Sequence, residues 1–513
     1  MRTAHALKNI EYSVLRTVSM ALLNFISRTV FIKVLGSEYL GINGVLGNVF
    51  MFLSIADMGL STAIGFSLYK PLASKDYHHI STLMAFYRRV YQYVAVAISI
   101  AGLLLAPFLQ YLVKSHNPIE HLHIYYLIFL ANTVAGYLLI YPQTLITADQ
   151  KTYKTVPFAV GFNLLWTAAQ ITVLLTTHNY FAYLLTQSAV IFLERYFTNR
   201  YIKKSYPEVS FETKEKLPEE DLQLIKKNVK AMLWHKIGDF GVNGIATLVI
   251  SARLSVSLAG IYSNYVMIIG VVKGFLLLAP NSVAASFGNL ISTESKEKCL
   301  EKSKVLDFIT FWAFGATAVC FYNMLNPFIV LWVGKEYLFS QATVAIILTD
   351  YYLTGARVSL YVVKTSGGIY AQDKYLPAFQ AVANLVFSLI LADYMGVSGV
   401  FLGMILSTFI FPFWYRAIIV YKHIFAAPAR GYFLRYGLYL AVVAANAAIT
   451  AFICSTLFSA GGWWTFAGRG LVSLIIPNAV IFILFRNTSE MRQIIKILRQ
   501  YLNSRLKWGT KSA

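Results

Sequence analysis

Apolar runs of about 20 residues follow one another along almost the whole chain, separated by short polar connectors, and each run is long enough to cross a bilayer as a helix. Runs such as Tyr93 to Leu112 do not alternate polar with apolar positions, which argues against a membrane β-barrel, whose strands are about ten residues long and do alternate. The pattern predicts helices over approximately 11–35, 40–70, 87–113, 121–146, 154–177, 179–202, 229–252, 257–290, 303–326, 340–366, 374–394, 397–423, 432–457 and 464–486. The expected fold is all-α: a polytopic membrane protein with about 14 transmembrane helices.

Composition supports lipid as the solvent. Hydrophobic residues make up 57% of the 513 and charged residues 13%, too few to cover a water-soluble chain of this size. The net charge of +21 would suggest nucleic acid in a soluble protein, but its distribution gives it another meaning. Every second connector is basic, among them those with Lys70, Lys75, Arg88 and Arg89, with Lys151 and Lys154, with Arg200, Lys203 and Lys204, and with Lys296, Lys298 and Lys302. The connectors between them, near Gly36, Asn117, His178, Ser255, Asp393 and Gly461, carry almost no positive charge. By the positive-inside rule the basic set is cytoplasmic, which places both termini inside and requires an even number of spans. The N-terminus lacks a cleavable signal pattern, so the first helix is expected to be retained.

The longest polar stretch, Lys203 to Lys230, holds two prolines and dense mixed charge. It separates six helices from eight. The segments on either side look related at a shift of 219 residues: Asn24 falls on Asn243, and Gly41-Ile42 on Gly260-Ile261. Two pseudo-twofold-related lobes around a central cavity are expected from such a duplication. The organisation is then an N-terminal lobe at 1–202, a cytoplasmic linker at 203–228, a C-terminal lobe at 229–423, two extra helices at 424–486 and a basic tail at 487–513. In the tail, Met491, Ile494, Ile495, Leu498 and Leu502 share one helical face, with basic residues elsewhere. This fits an amphipathic helix on the anionic cytoplasmic leaflet, or a solvated basic tail.

Charges inside spans point to function, because each costs roughly 2.5–3.5 kcal/mol at the bilayer centre unless it faces protein, water or a partner. The first helix carries Arg16, Asn24 and Arg28 on one broad face, and the seventh carries His235, Asp239 and Asn243 at steps of four. In the tenth, Asp350, Thr354, Arg357, Tyr361 and Lys364 follow one line. That stripe is either a cation-lined wall for an anionic substrate or an Asp350–Arg357 arrangement that packs the lobes, with Lys364 snorkelling to the cytoplasm. Lys273 lies well inside the eighth helix, and Asp57, inside the second, is a coupling-ion site or a helix-packing group.

No enzyme constellation stands out, so no catalytic residue is expected. His78, His79, His116, His121 and His123 lie in or near connectors without carboxylate pairs at ligand spacing, and the three cysteines are far apart, so no metal site, disulfide or cofactor is expected. No Walker-type phosphate loop is present in the sequence.

Several stretches together resemble one family: FIKVLGSEYLGINGVLGNVFMFLSIADMGLSTAIGFSLYKPLASKD at 31–76, ADQKTY at 148–153, NPFIVLWVGKEYL at 326–338 and GGIYAQDKYLPAFQAVANLVFSLILADYMGVSGVFLGMILST at 367–408. They are similar to bacterial polysaccharide-biosynthesis proteins of the Wzx type, in the multidrug/oligosaccharidyl-lipid/polysaccharide exporter superfamily. The resemblance implies a fourteen-helix, two-lobed flippase of the bacterial cytoplasmic membrane. Such a protein moves an undecaprenyl-diphosphate-linked oligosaccharide between leaflets by alternating access, for capsule, O-antigen or exopolysaccharide synthesis. It implies a monomer, with the lipid bilayer, a polysaccharide polymerase and glycosyltransferases of the same pathway as partners. Arg16, Arg28, Lys273 and Arg357, with Asn24 and His235, are then candidate substrate-binding residues, and Asp57, Asp239 and Asp350 candidate coupling or packing residues. A lipid II flippase, a cation-coupled drug exporter and a polysaccharide polymerase are the alternatives, the last disfavoured because every external connector is short.

Overall fold

The computed structural model describes residues 2–54, 60–115, 119–227, 229, 241, 244–369, 372–459 and 461–509. The first helix, α1 (Arg2–Leu53), is 52 residues long, but Gly36 breaks it with φ 78°. Glycine tolerates that left-handed backbone without a Cβ clash, so the chain turns at the Gly36 connector while remaining nominally one helix. There follow α2 (Leu60–Ser74), α3 (Tyr77–Leu105), α4 (Leu122–Ala148), α5 (Val156–Thr177) and α6 (Tyr180–Ser205). The chain continues through α7 (Ile245–Val249), α8 (Val256–Ser282), α9 (Ala284–Thr293), α10 (Lys296–Trp332), α11 (Gln341–Gly355) and α12 (Val358–Ser366). The rest is α13 (Leu376–Ile410), α14 (Pro412–Val420), α15 (Arg430–Leu457), α16 (Trp463–Phe485) and α17 (Ser489–Gly509). Gly396 interrupts α13 with φ 59°, as Gly36 interrupts α1.

Among the described residues nine helical stretches are long and apolar enough to cross a membrane. One of these, Leu376–Phe425, has 50 residues, about 75 Å at 1.5 Å per residue and more than twice the hydrocarbon thickness, so it passes twice. Divided at Gly36 and Gly396, most helices match the predicted segments, but 40–70 is shared between α1 and α2, 257–290 between α8 and α9, and 340–366 between α11 and α12. The seventh predicted segment, 229–252, is described only at 229, 241 and 244–252. The fold is an all-α polytopic membrane protein.

Local chemistry fixes the ends. Asn179 caps α6 by accepting from the backbone N–H groups of Phe181 and Ala182, and Ser340 caps α11 through Thr343. Pro157 and Pro377 stand in the first turns of α5 and α13, where a missing N–H costs nothing.

The chain divides into two compact units, 1–263 and 264–513. The first has an aromatic core of Tyr87, Tyr91 and Tyr126, with the Tyr87 and Tyr91 rings perpendicular at 4.4 Å. Its polar stretch folds back on α3: Ser210 donates its N–H to the Ser81 hydroxyl, and Arg88 pairs with Glu212 at 2.6 Å. Ser37 and Ser257 meet through hydroxyls 2.6 Å apart, joining the α1 connector to the start of α8.

The second unit is organised around α10, whose most apolar stretch is 67% buried, against 22% for that of α16. Phe311 stacks on Tyr439 at 4.0 Å, and Phe308 and Phe485 close around them. Outside these cores large apolar side chains are freely presented, Trp464 at 92% exposure and Tyr93 at 75%, as a protein bathed in lipid requires.

Candidate substrate-binding cations

In the first unit the first-helix polar face resolves into unequal members. Arg16 and Asn24 have exposed side chains, whereas Arg28, one turn after Asn24, is half-buried and donates to the Ser263 hydroxyl. Arg28 also stands near Tyr183. Tyr183 belongs to an aromatic wall in which Phe31 lies 5.0 Å from it and Tyr180 stacks 5.8 Å away, with Tyr125 against Tyr180 at 4.8 Å. A guanidinium beside such a wall loses much of its water, which strengthens its attraction for an oxyanion. Asp57, His235 and Asp239 lie outside the described residues.

In the second unit the Asp350 carboxyl on α11, shut away from water, lies within reach of the charges of Lys273 on α8 and of Arg357. All three are half-buried. The predicted continuous stripe from Asp350 to Lys364 is interrupted, because α11 ends at Gly355 and α12 begins at Val358. The interruption frees helix-end carbonyls, and Arg357 donates its Nε to one of them, that of Leu353, at 2.8 Å. Its guanidinium lies 6.0 Å from the centre of the Phe413 ring. Two cations and one carboxyl leave this group with an excess of positive charge.

Lys364 departs from its expected role. It does not reach out to water but is 2% exposed, paired with the fully buried Asp373, and Arg416 stands 3.7 Å from the same carboxylate oxygen. The physical reason is the turn at Gly367 and Gly368, which brings the 372–375 segment back over the end of α12 and supplies a buried counter-charge.

Asp307 on α10 carries a functional signal that the sequence reading passed over. It is buried, accepts a hydrogen bond from the Ser359 hydroxyl at 2.5 Å, and has no partner for its second oxygen among the described residues. Tyr432, Arg435, Tyr436 and Tyr439 of α15 line the small pocket beside it. The signal was available as a lone acid in the apolar run after Lys304. Asp373 had no such signal, since a carboxylate in a connector ordinarily faces water.

An apolar groove lies between α10 and α16, lined by Ile309, Trp312, Ala316, Leu474 and Asn478, with Ile494 of α17 at its edge. Trp312 donates to the Asn478 side chain at 2.7 Å there. Among the described residues no group of three His, Cys, Asp or Glu side chains gathers to hold a metal.

The architecture has solved counterparts. A lipid II flippase, MurJ, in an inward closed conformation superposes with a TM-score of 0.69 over 93% of this chain and 99% of its own, at 13% identity. An inward-facing multidrug resistance MATE transporter of the MOP superfamily gives 0.58 over 76% and 91%, at 15% identity. The MATE transporter VcmN of Vibrio cholerae, in its bent form, gives 0.52 over 83% and 98%, at 12% identity.

The chain shares its fold with these transporters. At such low identities the likeness is one of fold. No protein-family model matches the sequence, and no curated protein matches it.

Proposed function

We propose that this protein is a flippase that carries an undecaprenyl-diphosphate-linked oligosaccharide across the bacterial cytoplasmic membrane by alternating access, for surface-polysaccharide synthesis. The observation that carries the reading is the set of half-buried cations inside the spans of this fold: Arg28 beside its aromatic wall, and Lys273 and Arg357 in net excess over Asp350. A diphosphate offers the oxyanions such cations bind, arginine through paired donors and lysine as a point charge. The groove between α10 and α16 adds an apolar surface suited to a stretch of polyisoprenoid chain.

In this reading Arg28 in the first unit, and Lys273 with Arg357 in the second, are each taken as a place for oxyanions of the diphosphate, while Arg16, Asn24 and His235 are polar positions of the substrate path. Asp350, with Asp57 and Asp239, serves coupling or packing. Both termini lie in the cytoplasm, and the polymerase and glycosyltransferases of the pathway act before and after the transport step without joining the binding site.

The test is surface polysaccharide in cells whose only copy is Arg28→Gln, Lys273→Gln or Arg357→Gln, with membrane levels of the protein measured alongside. Loss of polysaccharide at normal protein level is expected. Unchanged polysaccharide in all three would sink the assignment of these residues. A second reading, transport of lipid II, is favoured by the likeness to MurJ across nearly the whole of both chains. Depletion separates the two. Arrested peptidoglycan synthesis supports lipid II, whereas loss of a surface polymer with continued growth, when the upstream pathway is also blocked, supports the oligosaccharide.

A further inference from the structure

The last helix, α17, is separated from the end of α16 by three residues, so it starts where a membrane span ends. One side is committed to the protein. Met491 is 1% exposed, the Gln493 side chain accepts from Lys302 Nζ at 2.8 Å and donates to Glu301, and Ile494 borders the groove that holds Trp312. This fixes the rotation of the helix about its axis.

The other side is basic. Arg492, Lys496 and Arg499 recur at steps of four and three, within about 60° of one line, and all three side chains are exposed. Among the described residues no ion pair engages any of them. Over its length α17 has one acid, Glu490, against Arg492, Lys496, Arg499, Arg505 and Lys507. A protein that merely needed a soluble tail would gain nothing from a fixed basic line on a docked helix beside a span end.

We propose that the Arg492–Lys496–Arg499 face of α17 is a binding surface for the headgroups of anionic phospholipids in the adjoining leaflet. Docking on α10 holds the helix near the surface, where long basic side chains reach phosphates while their stems stay against apolar surface. Each basic residue near an anionic surface strengthens association several-fold, and the attraction falls within a Debye length. This inference does not depend on which lipid-linked substrate is carried.

The test uses the full chain in nanodiscs of phosphatidylcholine alone and of phosphatidylcholine mixed with phosphatidylglycerol, with amide hydrogen exchange followed in residues 489–509. Exchange in this helix is expected to slow by roughly tenfold in the anionic discs. The R492Q/K496Q/R499Q variant should lose that difference while α10 exchanges as before. Equal exchange of the wild type in both discs would overturn the proposal, and so would a variant that retains the full difference. Should the variant fail to fold, high salt supplies the same test on the wild type: the difference vanishes if headgroup charge causes it, and its persistence overturns the proposal.

Discussion

Gly41 and Gly260 make a reciprocal contact: a side chain on Gly41 would strike the backbone carbonyl of Val256, and one on Gly260 would strike that of Ser37. Gly41 and Gly260 are 219 positions apart, and so are Ser37 and Val256. A contact in which residue i meets j while the counterpart of i meets the counterpart of j is what a twofold relation between duplicated helices produces. The second half of α1 and the first turns of α8 can cross this closely only because both crossing points lack a Cβ.

Replacing either glycine by leucine should therefore separate the two helices, at about 1–3 kcal/mol or more. Gly47→Leu is the control, since Gly47 is exposed with open space where its side chain would go. Thermal melts by fluorescence-detected size exclusion should show a clear drop for Gly41→Leu and Gly260→Leu and little change for Gly47→Leu. The paired cysteines Ser37→Cys and Ser257→Cys should cross-link on oxidation, because the native hydroxyls stand 2.6 Å apart. If alternating access opens this crossing, the cross-linked protein will no longer transport.

The buried Lys364–Asp373 pair makes a different kind of prediction. Asp373→Ala leaves an ammonium stranded with Arg416 nearby, and breaking such a pair from one side costs about 3–5 kcal/mol. Replacing both partners with Lys364→Met and Asp373→Leu removes both buried charges and should recover most of the loss. A double-mutant cycle on melting temperature measures the difference, and additive effects would contradict the pairing.

The charges of Lys273 and Arg357 both reach the Asp350 carboxyl. Asp350→Asn should leave the cations free to hold an anionic substrate more tightly and release it more slowly. Substrate affinity then rises while turnover falls. Lys273→Gln should lower affinity, and the double variant should fall between. A matching loss of both affinity and turnover in Asp350→Asn would show that Asp350 serves folding alone.

Tyr206, after the end of α6, donates to the Asp149 side chain at 2.6 Å. Burial first, and then this bond and the charge of Asp149, push its phenol well above the ordinary 10. The unfolded chain therefore loses the Tyr206 proton near pH 10 while the folded chain keeps it. Stability contributed by this group is fully present below pH 10 and is lost as pH rises beyond it. Tyr206→Phe should cost about 1 kcal/mol at neutral pH and flatten the alkaline decline of stability, as read from melts across pH 8–11.

The spans and their breaks were legible because lipid imposes one rule everywhere: long apolar runs and polar connectors. Gly36 and Gly396 could be read as boundaries, and the alignment that put Gly41 on Gly260 singled out two glycines that meet in one crossing. The pairing of charges was harder to read. Nothing in sequence spacing links Lys273 to Asp350, which stand 77 positions apart. Lys364 looked like a snorkelling lysine because its partner, Asp373, lies in a connector whose return path depends on a glycine turn. The interruption at Ala356 and Arg357 was hidden as well: the apolar run continues through it, and the helix end is marked only by Gly355.

The most direct test of the central claim is translocation of a fluorescent undecaprenyl-diphosphate oligosaccharide in proteoliposomes, followed as the fraction of label accessible to a membrane-impermeant quencher. The wild-type protein should carry label from the protected to the accessible leaflet, with Arg28→Gln and Arg357→Gln at least tenfold slower at equal reconstitution, as about 1.4 kcal/mol of lost substrate binding in the limiting step would give. A wild-type rate equal to that of protein-free liposomes would contradict the account.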